Sequence, residues 1–300
     1  MSRNLPVMLK SSTIIQKQKD FPKIGLCLGG GGARGLAHIL VLEVFDELGI
    51  CPSIITGTSI GALFAAGYAS GLSASHIRYT TEEILATRID IITKLLFKRT
   101  KPLRKVLKIF PMRSAFLDSF ALLELLIPEL ISKTFEELKI PIKIVATNLS
   151  LCEPYIFDSG NLGNALAASI AIPGLFSPVD VDGVLLSDGG IVDPLPYLIL
   201  PKDIDLVIAV DVSGGSRSLV NGSRTSIIST LIQSVSVLQK AIIEERLRQK
   251  KPDLYIKFTL EKYGGLHFHK ADEILKEAAL FKSEFRNKFI RLLNSQSILL

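Results

Sequence analysis

Gly57-Thr58-Ser59-Ile60-Gly61 sets a serine between two glycines, each two residues away. A serine is exposed for nucleophilic attack when it projects from a turn too sharp for ordinary backbone angles, among neighbours with no bulky side chains. The apolar run 53–56 reads as a strand before that turn, and the spacing over 60–69 reads as a helix after it. That order points the helix dipole at a reacting carbonyl. Alone, the pattern equally describes a glycine-bounded turn with an N-cap serine.

Gly29-Gly30-Gly31-Gly32-Ala33-Arg34-Gly35 follows another strand-like run, 23–28. Gly30, Gly32 and Gly35 satisfy GxGxxG, which opens a dinucleotide-binding reading. That reading requires an acidic residue at the end of the next strand, where this chain has the Ser59 turn instead. Successive glycines also present successive backbone N–H groups, which is what an oxyanion needs. Ser187-Asp188-Gly189-Gly190, after the apolar run 184–186, puts a carboxylate beside two glycines, where it can approach a second loop. By itself this is also an ordinary Asp-Gly turn.

In this order the three motifs resemble the patatin-like phospholipase family. So do Gly35-Leu-Ala-His-Ile39, Ala171-Ile-Pro-Gly-Leu-Phe176 with Pro178-Val179, and Asp188-Gly-Gly-Ile-Val-Asp-Pro-Leu-Pro196. The resemblance covers about 23–212 and is nearest to small bacterial members. It implies a three-layer α/β fold with a mostly parallel central sheet. It also implies hydrolysis of lipid carboxylic esters, with Ser59 as nucleophile and Asp188 as base, through an acyl-serine. Gly30, Gly31, Gly32 and Ala33 would form the oxyanion hole, and Arg34 would brace the loop. Gly35, Gly57, Gly61, Gly189 and Gly190 would support the turns. The plant members carry Asp where this chain has Gly29.

Two alternatives stay open. His267 and His269 follow Asp188, giving the Ser–Asp–His chain order of α/β-hydrolases. A non-catalytic lipid- or protein-binding module on the same fold is the other. His38 reads as structural and His76 as solvated. Asp193 reads as shaping a turn and Asp211 as supporting the sheet edge. No spacing suits a metal ligand set, and neither cofactor nor metal is expected.

The elements that must position these residues come next. Residues 1–20 read as an arm, and 21–300 as one catalytic domain. Strand–loop–helix occurs twice by residue 69, the signature of a doubly wound parallel sheet. A helical insertion spans about 73–138. Strands follow at 142–146, 154–157, 206–212 and 254–258, with helices at 36–48, 162–170, about 225–249 and 271–293. The 300 residues are 48% apolar and 21% charged, enough for a core and too little charge for disorder. Trp is absent and aromatics are 7%, so no base-stacking platform and no nucleic-acid partner is expected.

The net charge is +6, yet seven basic residues and no acid lie between Lys94 and Lys108. Removing those seven charges leaves the rest at −1. Segment 94–110 mixes its charges with apolar residues, as a membrane-surface element does, or as a solvated face of a core-packing helix pair. The cysteines at 27, 51 and 152 show no CxxC spacing and read as buried free thiols in a reducing compartment. With no signal peptide and no transmembrane run, the reading is cytoplasmic, with peripheral membrane contact through 94–110. The sequence does not address oligomeric state.

Overall fold

The computed structural model describes residues 21–97, 117–127, 131–214 and 227–295, and only the backbone of 89–97 and 227–229. The arm at 1–20 and the basic segment beyond Phe97 fall outside these residues.

In chain order, β1 (Ile24–Leu28) leads into a 3-10 segment (Gly32–Ala37), then α1 (His38–Leu48), β2 (Ile54–Thr58) and α2 (Ile60–Ala69). Two helices occupy the described part of the insertion: α3 (Ala74–Phe97) and α4 (Ser119–Leu126). Then come β3 (Ile142–Asn148), β4 (Glu153–Phe157), α5 (Leu162–Ser169), β5 (Val179–Val181) and β6 (Val184–Asp188). The chain continues through β7 (Leu206–Asp211), α6 (Ile227–Gln249), β8 (Leu254–Lys257) and α7 (Ala271–Ser295).

The eight strands make one sheet in the order β5-β6-β3-β2-β1-β7-β8, with β4 also on β3. β3, β2, β1, β7 and β8 pair in parallel. Side-chain alternation along β1 separates the two faces. Ile24, Leu26 and Leu28 enter the large core shared with α1, α2, α5 and α7. Cys27 enters a smaller cluster on the opposite face with Leu195, Leu200 and Ile243, the last on α6. The result is three layers, helix–sheet–helix.

The sheet is mostly parallel, as expected, with β4, β5 and β6 running antiparallel to their neighbours. The four residues between β3 and β4 can only reverse the chain. β5, which the strand pattern did not reveal, joins β6 through Asp182-Gly183. Their φ angles of 52° and 82° are the positive pair a two-residue hairpin turn uses. Two expectations need correction. The helix expected at 36–48 begins as the 3-10 segment and turns α-helical only at His38. Second, only Cys27 is buried. Cys51 and Cys152 are exposed because they lie on connections, between α1 and β2 and between β3 and β4. Among the described residues no helix is long and apolar enough to cross a membrane.

Candidate active site

Ser59 stands between the last residue of β2 and the first of α2, at φ 55° and ψ −123°. That is the left-handed side of the map, costly for a residue with a side chain and held only by surrounding structure. The restraint is visible. Ser59 N–H donates to Ser169 Oγ at 2.8 Å, and the Ser169 hydroxyl donates on to Val145 O at 2.7 Å. The parallel ladder pairs Thr58 with Val145 and ends there. The Ser169 hydroxyl thus bridges the gap that opens where the chain turns away from β3. On the helical side, a Cβ on Gly61 would strike the carbonyl oxygen of Leu28, so only glycine lets α2 start so close to β1.

Asp188 reaches the serine through the same strand. β3 pairs with β2 over Ile142–Val145 and with β6 over Ala146–Asn148, while β4 spans both stretches. A strand has two edges, so β2 and β6 share one. Asp188, opposite Ala146, therefore takes the place β2 vacates at the turn. Its main chain is fixed by Thr147 Oγ1 donating to Asp188 O at 2.7 Å and by Asp188 N–H donating to Ala171 O at 2.9 Å. Its side chain accepts from Ser59 Oγ at 2.8 Å through Oδ2 and from Gly190 N–H at 2.7 Å through Oδ1. Burial pushes the Asp188 carboxyl up to about 6, against the lowering effect of the Gly190 and Ser59 hydrogen bonds.

Four peptide nitrogens of the glycine loop were expected to serve an oxyanion. Two of them are already engaged: Gly30 N–H donates to Pro194 O at 2.9 Å and Ala33 N–H to Gly265 O at 2.7 Å. Among the described residues, the N–H groups of Gly31 and Gly32 have no such backbone partner, and both residues line a cleft with Ser59 and Asp188. Gly32 has φ 59°, and a Cβ there would strike Gly265 O.

Arg34 is buried beside the loop. It donates to Val212 O (3.1 Å), Gly214 O (2.7 Å) and Tyr263 O (3.1 Å), tying the loop to the end of β7 and to the segment before α7. Burial lowers its pKa to about 10. His38 Nε2 lies 2.8 Å from Gly29 O and the ring is fully buried, which depresses its pKa to about 4. Gly35 and Gly57 pack against Ile60 and Ala62 at the start of α2, and Gly189 and Gly190 open the short turn after β6.

His267 Nδ1 accepts from Gly264 N–H at 3.0 Å and its ring faces His269, while Ser59 Oγ and Asp188 bond each other directly. Asp193 and Asp211 are held elsewhere, by Arg246 at 2.6 Å and by the Tyr255 hydroxyl at 2.6 Å. Among the described residues no cluster of three or more His, Cys, Asp or Glu is placed to hold a metal. Sequence reasoning missed Ser169. Its one signal was a lone hydroxyl within the apolar, alanine-rich stretch 165–171.

Two cavities open at Ser59. One carries polar groups, Arg34, Ser236 and Gln239 among them. The other is walled by apolar side chains and glycine.

A strained serine between strand and helix, hydrogen-bonded directly to a buried aspartate, has the geometry a nucleophile elbow requires. A family model described as patatin-like phospholipase matches residues 26–201, more than half of the chain, and the chain belongs to that family. An uncharacterized NTE family protein of Mycobacterium tuberculosis is 33% identical over 225 residues, 72% of this chain and 58% of that protein. A lysophospholipase of Aspergillus fumigatus is 27% identical over 290 residues, 88% of this chain and 18% of that one. Among solved structures, VipD from Legionella pneumophila gives a TM-score of 0.44 at 16% identity, covering 92% of this chain and 67% of that one.

Proposed function

We propose that this protein is a serine acyl hydrolase that cleaves carboxylic esters of lipids through an acyl-Ser59 intermediate. The observation that carries the reading is the 2.8 Å hydrogen bond from Ser59 Oγ to a buried Asp188. Asp188 Oδ2 takes the hydroxyl proton as Ser59 Oγ attacks the ester carbonyl. The carbonyl oxygen becomes an oxyanion held by the N–H groups of Gly31 and Gly32, donors typically worth about 3 kcal/mol each. As the tetrahedral species collapses, Asp188 returns its proton to the departing alcohol. Water then attacks the acyl-serine with Asp188 again as base, releasing the fatty acid.

Burial suits Asp188 to this work. A carboxylate in water is too weak a base for a serine hydroxyl, and raising its pKa toward neutrality makes proton transfer less uphill. Family membership supports a lipid substrate, as does the name of the fungal relative.

The test is covalent labelling with a fluorophosphonate, followed by peptide mapping. Ser59 takes the label, and the Ser59→Ala protein takes none. Asp188→Asn lowers turnover of a fatty-acyl ester by about a thousandfold, the scale of a lost general base. His267→Ala and His269→Ala keep most of it. A label on another residue removes the assignment, and a thousandfold loss at either histidine establishes a Ser–Asp–His triad in its place.

A further inference from the structure

The apolar cavity at Ser59 does not end there. It shares Ile60, Leu63, Leu85, Leu126 and Phe268 with a second cavity that continues along α2. Neither lining holds a charged residue, and the shared side chains set the two cavities next to each other as one candidate passage.

One stripe of α2 supplies a wall: Ile60, Leu63, Phe64 and Gly67, at i, i+3, i+4 and i+7, lie on a single helical face. From Ile60 to Gly67 the helix rises about 10 Å, close to the extended length of an octanoyl or decanoyl chain. α3 supplies a facing stripe through Ile77, Ile84 and Leu85.

Gly67 itself calls for a reason. A glycine inside a helix is less stable than alanine there. Gly61 is forced by a backbone carbonyl, but a Cβ on Gly67 would meet only Ile77 at 3.7 Å and Ile131 at 3.9 Å, ordinary contacts. Neither backbone angle nor close approach demands a glycine. What the missing side chain does is leave space at the lining of the second cavity.

We propose that the passage between α2, α3 and α4 holds the acyl chain of the substrate, and that Gly67 sets the length it accepts. The inference rests on Ser59 being the acylated residue. It also orients the substrate: the acyl chain runs under α2, and the alcohol leaves through the polar cleft on the α6 side. Each methylene buried in the passage favours binding by about fourfold.

Two measurements on the full chain test it. The first is kcat/KM on butyryl, decanoyl and palmitoyl esters of one chromogenic alcohol, for wild type, Gly67→Leu and Ile84→Phe, each checked for folding by circular-dichroism melting. The decanoyl-to-butyryl ratio falls by at least about tenfold in both variants, the usual scale for a filled apolar pocket. Gly67→Ala, benign in any helix, moves the ratio the same way by less. The second is calorimetric titration of decanoate into Ser59→Ala, with and without Gly67→Leu, which needs no turnover. Binding weakens at least about tenfold in the double variant.

A folded variant whose losses are equal on all three esters overturns the passage assignment, as does decanoate binding indifferent to Gly67→Leu. Absence of turnover on every ester, together with Gly67-dependent decanoate binding, upholds the passage and removes the hydrolase reading.

Discussion

Asp188 is held against its own ionisation. Its carboxyl is raised from 3.8 to about 6 chiefly by burial, so the native fold disfavours the ionised form that a base must adopt. Catalysis and stability then respond to pH in opposite directions. In the proposed mechanism turnover needs the carboxylate, so kcat/KM is expected to fall by about tenfold per pH unit below about 6 and to level off above it. Stability behaves as for any acid whose folded pKa exceeds its unfolded one. The contribution of Asp188 is full below the unfolded value and is lost as pH rises through about 6, on the order of 3 kcal/mol. Asp188→Asn keeps the acceptor for Gly190 N–H without the charge. It is expected to match wild type in urea denaturation at pH 4 and to exceed it at pH 7. A variant no more stable at pH 7 than at pH 4, relative to wild type, would mean that Asp188 is not held against its ionisation.

At the scale of elements, Arg246 ties α6 to the loop after β6. Arg246 Nη1 meets Asp193 Oδ2 at 2.6 Å and Nη2 reaches Val192 O at 3.3 Å, while Thr58 Oγ1 at the end of β2 donates to Asp193 O. The Asp193 side chain is 1% exposed and that of Arg246 20%. Burial raises the Asp193 pKa to about 6 in spite of the arginine, so desolvation outweighs the attraction of the pair. Removing one partner strands the other charge, at a typical cost of 3–5 kcal/mol. Arg246→Met is therefore expected to lose about 3 kcal/mol at pH 8 and less at pH 5, where Asp193 takes up a proton. Chemical denaturation at the two pH values reads both, and equal losses would mean that the aspartate stays ionised without its partner. Because α6 also lines the polar cleft through Ser236 and Gln239, its attachment bears on the site as well as on stability.

The molecule as a whole has one charge anomaly. Seven basic residues lie within Lys94–Lys108, and the remainder of the chain is close to neutral. In the sequence this stretch runs on from the end of α3, whose earlier residues Ile77, Ile84 and Leu85 line the second apolar cavity. An enzyme acting on lipids gains from contact with anionic bilayers, where each basic residue near the surface contributes about 1 kcal/mol. Co-sedimentation with vesicles containing anionic lipid is expected to exceed that with neutral vesicles and to fall with added salt. Replacing Lys98, Arg99, Lys101 and Arg104 by Gln should remove most of the difference. Unchanged binding, with unchanged activity on micellar substrate, would return the stretch to an ordinary solvated face.

Local patterns in the chain determined the sharp turn at Ser59, the glycine loop, the alternation of strands and helices in an α/β fold, and the start of α2 at residue 60. These follow from rules acting over a few residues: side-chain periodicity, positive φ and close approach at glycine, helix starts and stops. The short β5 escaped notice because three residues are too few to show an alternation. Only the tertiary structure decided that Asp188, 129 residues from Ser59, stands within hydrogen-bond reach of it. That contact depends on which edge of β3 each strand takes and where the β2 ladder stops. The same holds for the Ser169 bridge, for the engagement of the Gly30 and Ala33 nitrogens, and for the passage along α2. Each is fixed by register and packing between distant elements, and local periodicity carries no information about either.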